Sequence, residues 1–226
     1  MTDLQSRYDE MFESAIGRIE YGVISVDRKI ADDDRFGITV VLRPDAPTRA
    51  QVSAFLANLK TIDPKQYYYP DSDLHVTVLS LISGRSGFEL SEINLSEYVK
   101  IVRKSLENVS AFEMELKGVT ASAEAILIQG FPSGGTLETI RENLRMNFKK
   151  SELFQTIDAR YKIFTAHITA ARFASELQNS SEFARVVSSY REQHFGKFKV
   201  ERIELVCNDW YQKAQKTTSI ADFLLG

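Results

Sequence analysis

Cysteine is almost missing from this 226-residue chain, and the lone Cys207 excludes an intramolecular disulfide and any cysteine-rich zinc cluster. Its setting, Arg202-Ile-Glu-Leu-Val-Cys-Asn208, reads as a small buried hydrophobe. Long apolar runs are also missing. None approaches the roughly 20 residues needed to cross a bilayer, and Met1 to Glu10 lacks the basic-then-apolar order of a secretory signal. The expectation is a cytoplasmic protein with no membrane contact. Neither sign of charge dominates: 28 Lys and Arg stand against 31 Asp and Glu, for a net charge of -3, so any nucleic-acid contact must be local rather than a broad basic field.

What is present is an ordinary folded composition. Hydrophobic residues make up 43% and charged residues 26%, which excludes a disordered chain. The length suits one fairly large domain or two intimately packed lobes.

Apolar residues from Leu4 to Ile19 recur at helical spacing and predict an amphipathic helix over Leu4 to Glu20. Val23 to Val26 reads as a short extended piece, and Asp32-Asp-Asp34 as a solvated turn. Gly37 to Leu42 is a β-branched strand stopped at Arg43-Pro44, followed by a helix that Thr48 can cap and Asp63-Pro64 ends. The aromatic stretch Tyr67 to Tyr69 precedes a strand from Leu74 to Leu81. Then come a helix over Leu95 to Glu107, a hairpin of Phe112 to Val119 with Ala125 to Gly130, and a helix from Leu137 to about Lys150. A strand from Tyr161 to Ala171, a helix from Phe183 to Gln193, a strand from Lys199 to Asn208 and a short one from Ser219 to Leu225 complete the expectation.

Each half thus contains strand, helix, loop and then a strand bearing His-x-Thr: His75-Val-Thr77 in the first, His167-Ile-Thr169 in the second. The order suggests a duplicated unit. With three histidines and 13 threonines in the chain, two such matches by chance have a probability on the order of one in a hundred. Strand alternation puts His75 with Thr77, and His167 with Thr169, on one face, with Leu74, Val76 and Val78, and Ala166, Ile168 and Ala170, on the other. A wet sheet face needs no function when taken alone. Recurrence at matched positions in two halves is what points to chemistry.

Two imidazoles suit phosphoryl chemistry because an unperturbed His titrates near 6.5, so close to neutral pH one can accept a proton while the other, protonated, gives one. Thr77 and Thr169 can donate hydroxyl hydrogen bonds to non-bridging phosphate oxygens. No His or Cys spacing suggests a metal site, and no cofactor is expected. His194 lies near an expected helix end, where an imidazole meets terminal carbonyls, and falls outside the site. Arg141, Arg145 and Lys149 form a basic stripe whose plainer reading is a solvated helix face. Tyr67, Tyr68 and Tyr69, and with less support Phe131 and Tyr161, offer rings that can stack a base or simply pack.

The paired motifs resemble those of the 2H phosphoesterase superfamily, which includes 2′-5′ RNA ligase-like and cyclic phosphodiesterase proteins. The resemblance runs from Phe36 to Leu225. It implies an α+β fold that is bilobal and duplicated, with two antiparallel sheets flanking a central cleft and helices outside. Residues 1–35 would then be an N-terminal helical extension and 36–226 a single domain of two intertwined lobes. It also implies His75 and His167 as the acid/base pair and Thr77 and Thr169 as phosphate ligands. Val78 and Ala170 depart from the Leu that often follows Thr in the family. Arg172 matches an Arg common in ligase-like members, but simple alternation puts it on the face opposite His167, leaving phosphate contact and surface charge as equal readings. The activity implied is metal-independent hydrolysis of a ribose 2′,3′-cyclic phosphate, a related cyclic nucleotide or a 2′-5′ RNA phosphoester. The alternative is a nucleotide- or RNA-end-binding module with slow chemistry or none. A nucleotide or short RNA end is the expected partner, with no obligate protein partner.

Overall fold

Helical periodicity at the start of the chain produces α1 (Leu4–Glu20), whose Tyr8, Ala15 and Ile19 are buried. The computed structural model describes residues 4–226. The remaining helices are α2 (Ala46–Ile62), α3 (Leu95–Leu106), α4 (Thr136–Lys150) and α5 (Ser180–Ser189). The strands are β1 (Arg35–Leu42), β2 (Tyr67–Tyr68), β3 (Val76–Ser86), β4 (Phe112–Ala121), β5 (Ala125–Pro132), β6 (Ile168–Arg172), β7 (His194–Val200), β8 (Arg202–Asp209) and β9 (Thr218–Leu224).

Their order is β7-β4-β5-β6-β3-β1-β8-β9, with β2 set beside β6, and every neighbouring pair is antiparallel. The two expected sheets are the two halves of this continuous sheet. They meet at β3 and β6 through the single register pair Val76↔Ile168. The helix after β1 and the helix after the β4–β5 hairpin each cross over to the other half. From the first half, α2 packs against β6 and β7; from the second, α4 packs against β3. One contiguous apolar core, including Val76, Val78, Ile168 and Ala170, lies under these helices.

Tyr8 ties α1 to that core at one point. Its hydroxyl donates to Gly130 O at 3.1 Å and accepts from Gly130 N at 3.3 Å and from Ala166 N at 2.9 Å. A Cβ at Gly130 would run into the Ala166 carbonyl oxygen, so only glycine lets β5 approach the backbone just before His167 this closely.

Several expectations need correction. Asp45, not Thr48, caps α2: its carboxylate accepts Thr48 N at 3.0 Å, and Pro47 sits in the first turn, where its missing N–H is no loss. Asp33 is not in a solvated turn. It is buried, held by the backbone N–H and guanidinium of Arg35 and by the Tyr211 hydroxyl at 3.3 Å, a partner far away in sequence. The strand expected from Tyr161 shrinks to β6, and residues 151–167 run irregularly instead. Thr156 fixes that segment to β3: its N–H donates to Leu81 O at 2.9 Å and its hydroxyl accepts Ser83 N at 2.7 Å.

The helix expected to reach Gln193 stops at Ser189, and His194 opens β7 rather than closing a helix. A bulge explains the misreading. Leu116 pairs with Gly196 but Lys117 with His194, so Phe195 is an extra residue that breaks the alternation by which a strand is recognised. Cys207 is buried in β8. Among the described residues no helix is long and apolar enough to cross a membrane.

Candidate functional site

The junction of the two halves brings the motifs together. Continuing the antiparallel register outward from Val76↔Ile168 sets His75 beside Thr169 and Thr77 beside His167, all four on the face opposite the core. These residues and Arg172 line one cleft of about 210 Å³. Leu74, Val76, Val78, Ala166, Ile168 and Ala170, on the other face, are buried.

Each motif strand carries a bulge directly after its Thr. Along β3, Thr77 pairs with Val41 and Leu79 with Val40, leaving Val78 extra; along β6, Thr169 pairs with Leu127 and Ala171 with Ile126, leaving Ala170 extra. The second bulge decides the position of Arg172. It puts Ala170 and Ala171 consecutively into the core and returns Arg172 to the cleft face, against simple alternation. There the guanidinium donates from Nε to the Tyr69 hydroxyl at 3.1 Å and lies 5.6 Å from the centroid of the Tyr211 ring.

His75 is buried immediately before β3, and its Nδ1 lies 2.7 Å from Asp73 O. A carbonyl only accepts, so Nδ1 carries the proton and the lone pair of the neutral ring is on Nε2. His167 Nδ1 lies 2.8 Å from Thr165 Oγ1, a hydroxyl that can donate or accept and so suits the ring with or without a proton there. Burial pushes His75 down to about 4, opposed by the Asp73 carbonyl. His167 is also pushed down to about 4, first by burial, then because its protonated form would be repelled by a protonated His75 and by the Arg141 and Arg172 guanidiniums. Both imidazoles are therefore neutral at pH 7, not one neutral and one protonated as unperturbed values allow.

Arg141 is the main participant the sequence reading missed. Far from facing solvent, it is 1% exposed. Its guanidinium donates to Val78 O at 2.9 Å and Thr77 O at 3.1 Å on the first motif strand, and to Phe164 O at 3.2 Å and Thr165 O at 2.7 Å ahead of the second motif. One side chain thereby clamps both motifs from behind and satisfies carbonyls at the β3 bulge. Arg145 is likewise engaged, with Asp158 at 2.7 Å and Glu142 at 2.8 Å. The spacing of these arginines was visible, but the backbone they bind was not.

Of the aromatic candidates, Tyr69 is buried in the cleft wall; the Tyr68 hydroxyl donates to Asp63 O at 2.7 Å; Tyr67 packs edge-on against Tyr69 and Tyr211. Phe131 packs edge-on against Tyr8, whereas Tyr161 is 71% exposed at the cleft mouth. Trp210, also in the lining, carries the guanidiniums of Arg35 and Arg160 over its ring, 4.1 and 4.5 Å from the centroid. His194 is exposed on β7, its Nε2 3.4 Å from Glu115 Oε1, outside the cleft lining.

The profile of the 2′-5′ RNA ligase superfamily matches residues 45–209, a span that holds both motifs and Arg172. The chain belongs to this superfamily of phosphoesterases and ligases. Its helices packed on antiparallel sheet give the fold of solved proteins with little sequence in common. TT0787 of Thermus thermophilus superposes with a TM-score of 0.60 at 20% identity, over 84% of this chain and 97% of its own. E. coli LigT complexed with 3′-AMP gives 0.58 at 15% identity, over 84% and 98%. A protein described as a phosphoesterase gives 0.57 at 14%, over 84% and 98%. The sequence matches no curated protein.

Proposed function

We propose that this superfamily member is a metal-independent phosphodiesterase that hydrolyses a ribose 2′,3′-cyclic phosphate, a related cyclic nucleotide or a 2′-5′ RNA phosphoester, with His75 and His167 as acid/base catalysts. The observation that carries this reading is the reciprocal placement of two His-Thr pairs on one cleft face around Val76↔Ile168. LigT, which shares the fold, has been solved with 3′-AMP, ATP and phosphate, and that supports a nucleotide phosphoester as ligand here.

The hydrogen-bond partners support distinct roles. His75, its Nδ1 proton held on Asp73 O, presents the Nε2 lone pair of a general base. It takes a proton from water as the water oxygen bonds to phosphorus. His167, with an adaptable hydroxyl partner, is the ring that carries the proton delivered to the departing oxygen as the P–O bond breaks. A bound phosphate anion supplies the negative charge that raises the imidazole pKa for this purpose. Thr77, Thr169 and Arg172 bind non-bridging oxygens, whose charge grows in the transition state. In the reverse direction the two rings exchange roles.

The reading is tested with a panel of 2′,3′-cyclic nucleotides, ADP-ribose cyclic phosphate and 2′-5′ oligonucleotides, assayed in the presence of a chelator, with the position of the product phosphate identified. Turnover of at least one class, unaffected by chelation, is expected. Binding of the same compounds without product from any of them would leave a binding module instead.

A further inference from the structure

A second cavity, of about 480 Å³, opens from the His167 side of the cleft. It shares Tyr161, Ile163, His167, Thr169 and Arg172 with the first cavity, but not His75 or Thr77. Its far wall is α1, through Arg7, Glu10, Met11 and Ser14, an element outside the 45–209 span of the superfamily profile. Its lining includes the exposed rings of Phe164, 52% exposed, and Tyr161, 71% exposed. Arg7 and Lys162 lie 5.4 and 5.7 Å from the Phe164 ring centroid. The charged groups lining this space are Arg7, Lys162 and Arg172 against Glu10 and Glu124, with Lys162 also paired to Glu142 Oε1 at 3.2 Å, so cations outnumber carboxylates in the lining by one. Exposed rings flanked by cations and continuous with a phosphoester site are what a nucleotide chain needs: a face for its base and charge for its backbone.

We propose that this cavity is a subsite for a second nucleotide, the one attached through the oxygen that leaves on the His167 side. Its base stacks against the exposed Tyr161 ring and the Arg7 guanidinium seated over Phe164, and Lys162 steers its backbone. This rests on the phosphodiesterase reading for the direction of the chain and makes a nucleotide-linked phosphodiester, rather than a lone cyclic mononucleotide, the preferred substrate. In-line geometry supports the assignment, because nucleophile and leaving group occupy opposite sides of phosphorus and the roomy cavity lies on the His167 side.

Two measurements test it. In turnover, a 2′-5′ adenylyl-adenosine is compared with adenosine 2′-methylphosphate, which has the same reacting bonds but releases methanol. The wild type is expected to favour the dinucleotide about tenfold or more in kcat/KM, and Arg7→Ala and Phe164→Ala to remove that advantage while leaving the methyl ester unchanged. In binding, measured by calorimetry on otherwise intact His75→Ala protein, the dinucleotide is expected to bind about tenfold more tightly than adenosine 2′-monophosphate, again lost on adding Arg7→Ala or Phe164→Ala. Equal treatment of the paired ligands by the parent protein in binding, or equal losses for both ligands in the variants, would overturn the subsite. Absence of turnover with the binding preference intact would count against the phosphodiesterase reading alone.

Discussion

Val76 pairs directly with Ile168, and around that one contact the two motifs are related by an approximate twofold exchange: each His faces the other motif's Thr. Each strand then bulges at the residue after its Thr, Val78 in one and Ala170 in the other. The site is therefore made by the junction of the halves, and neither half holds a complete set of ligands.

The reciprocal geometry predicts similar penalties at the two threonines. Thr77→Ala and Thr169→Ala are each expected to lower kcat by about a hundredfold, the typical loss for one transition-state donor, with Thr→Ser restoring most of it. Steady-state kinetics on the four variants check this. One silent alanine substitution would show that the exchange symmetry does not extend to function.

Both imidazoles are held near pKa 4 by burial, whereas an unfolded histidine titrates near 6.5. Between those pH values the unfolded chain binds more protons than the folded one, so the sign of the linkage is fixed. The contribution of these rings is fully present above about pH 6.5 and is lost as pH falls towards 4. Urea unfolding should show up to about 2 kcal/mol lost per ring at pH 5 relative to pH 7, and His75→Gln should flatten the dependence. NMR titration should place both rings well below 6.5 in the free protein and at least one markedly higher with saturating phosphate. Ordinary histidine titration in the free protein would contradict this.

Arg141 spans carbonyls of both motif segments, and burial lowers its pKa only to about 10, so it stays charged at neutral pH. Arg141→Met strands four acceptors and is expected to destabilise the fold by about 3 kcal/mol or more. Arg141→Lys should restore little, because an ammonium cannot reproduce the planar fork. Chemical denaturation of both variants, read together with kcat, separates loss of folding from loss of positioning.

The motif strands were legible because His-x-Thr sits in a period-two apolar pattern, and so were α1, α4 and the β4–β5 hairpin. What eluded the sequence was set by distant partners or by bulges. Asp33 looked solvated because Tyr211 is remote in the chain. Arg172 looked misplaced because the extra residue Ala170 is invisible without the Leu127 and Ile126 pairing. Arg141 looked like a surface charge because its acceptors are backbone carbonyls, which leave no compositional trace. Strand β7 was masked by the bulge at Phe195.

The most direct test is kcat/KM on the best phosphoester substrate for His75→Ala, His167→Ala and the double variant, with melting temperatures recorded alongside. Each single variant should lose about a hundredfold or more while remaining folded, and the double should be little worse than the poorer single, as for residues acting as a unit. Undiminished turnover in both single variants would contradict a two-histidine site.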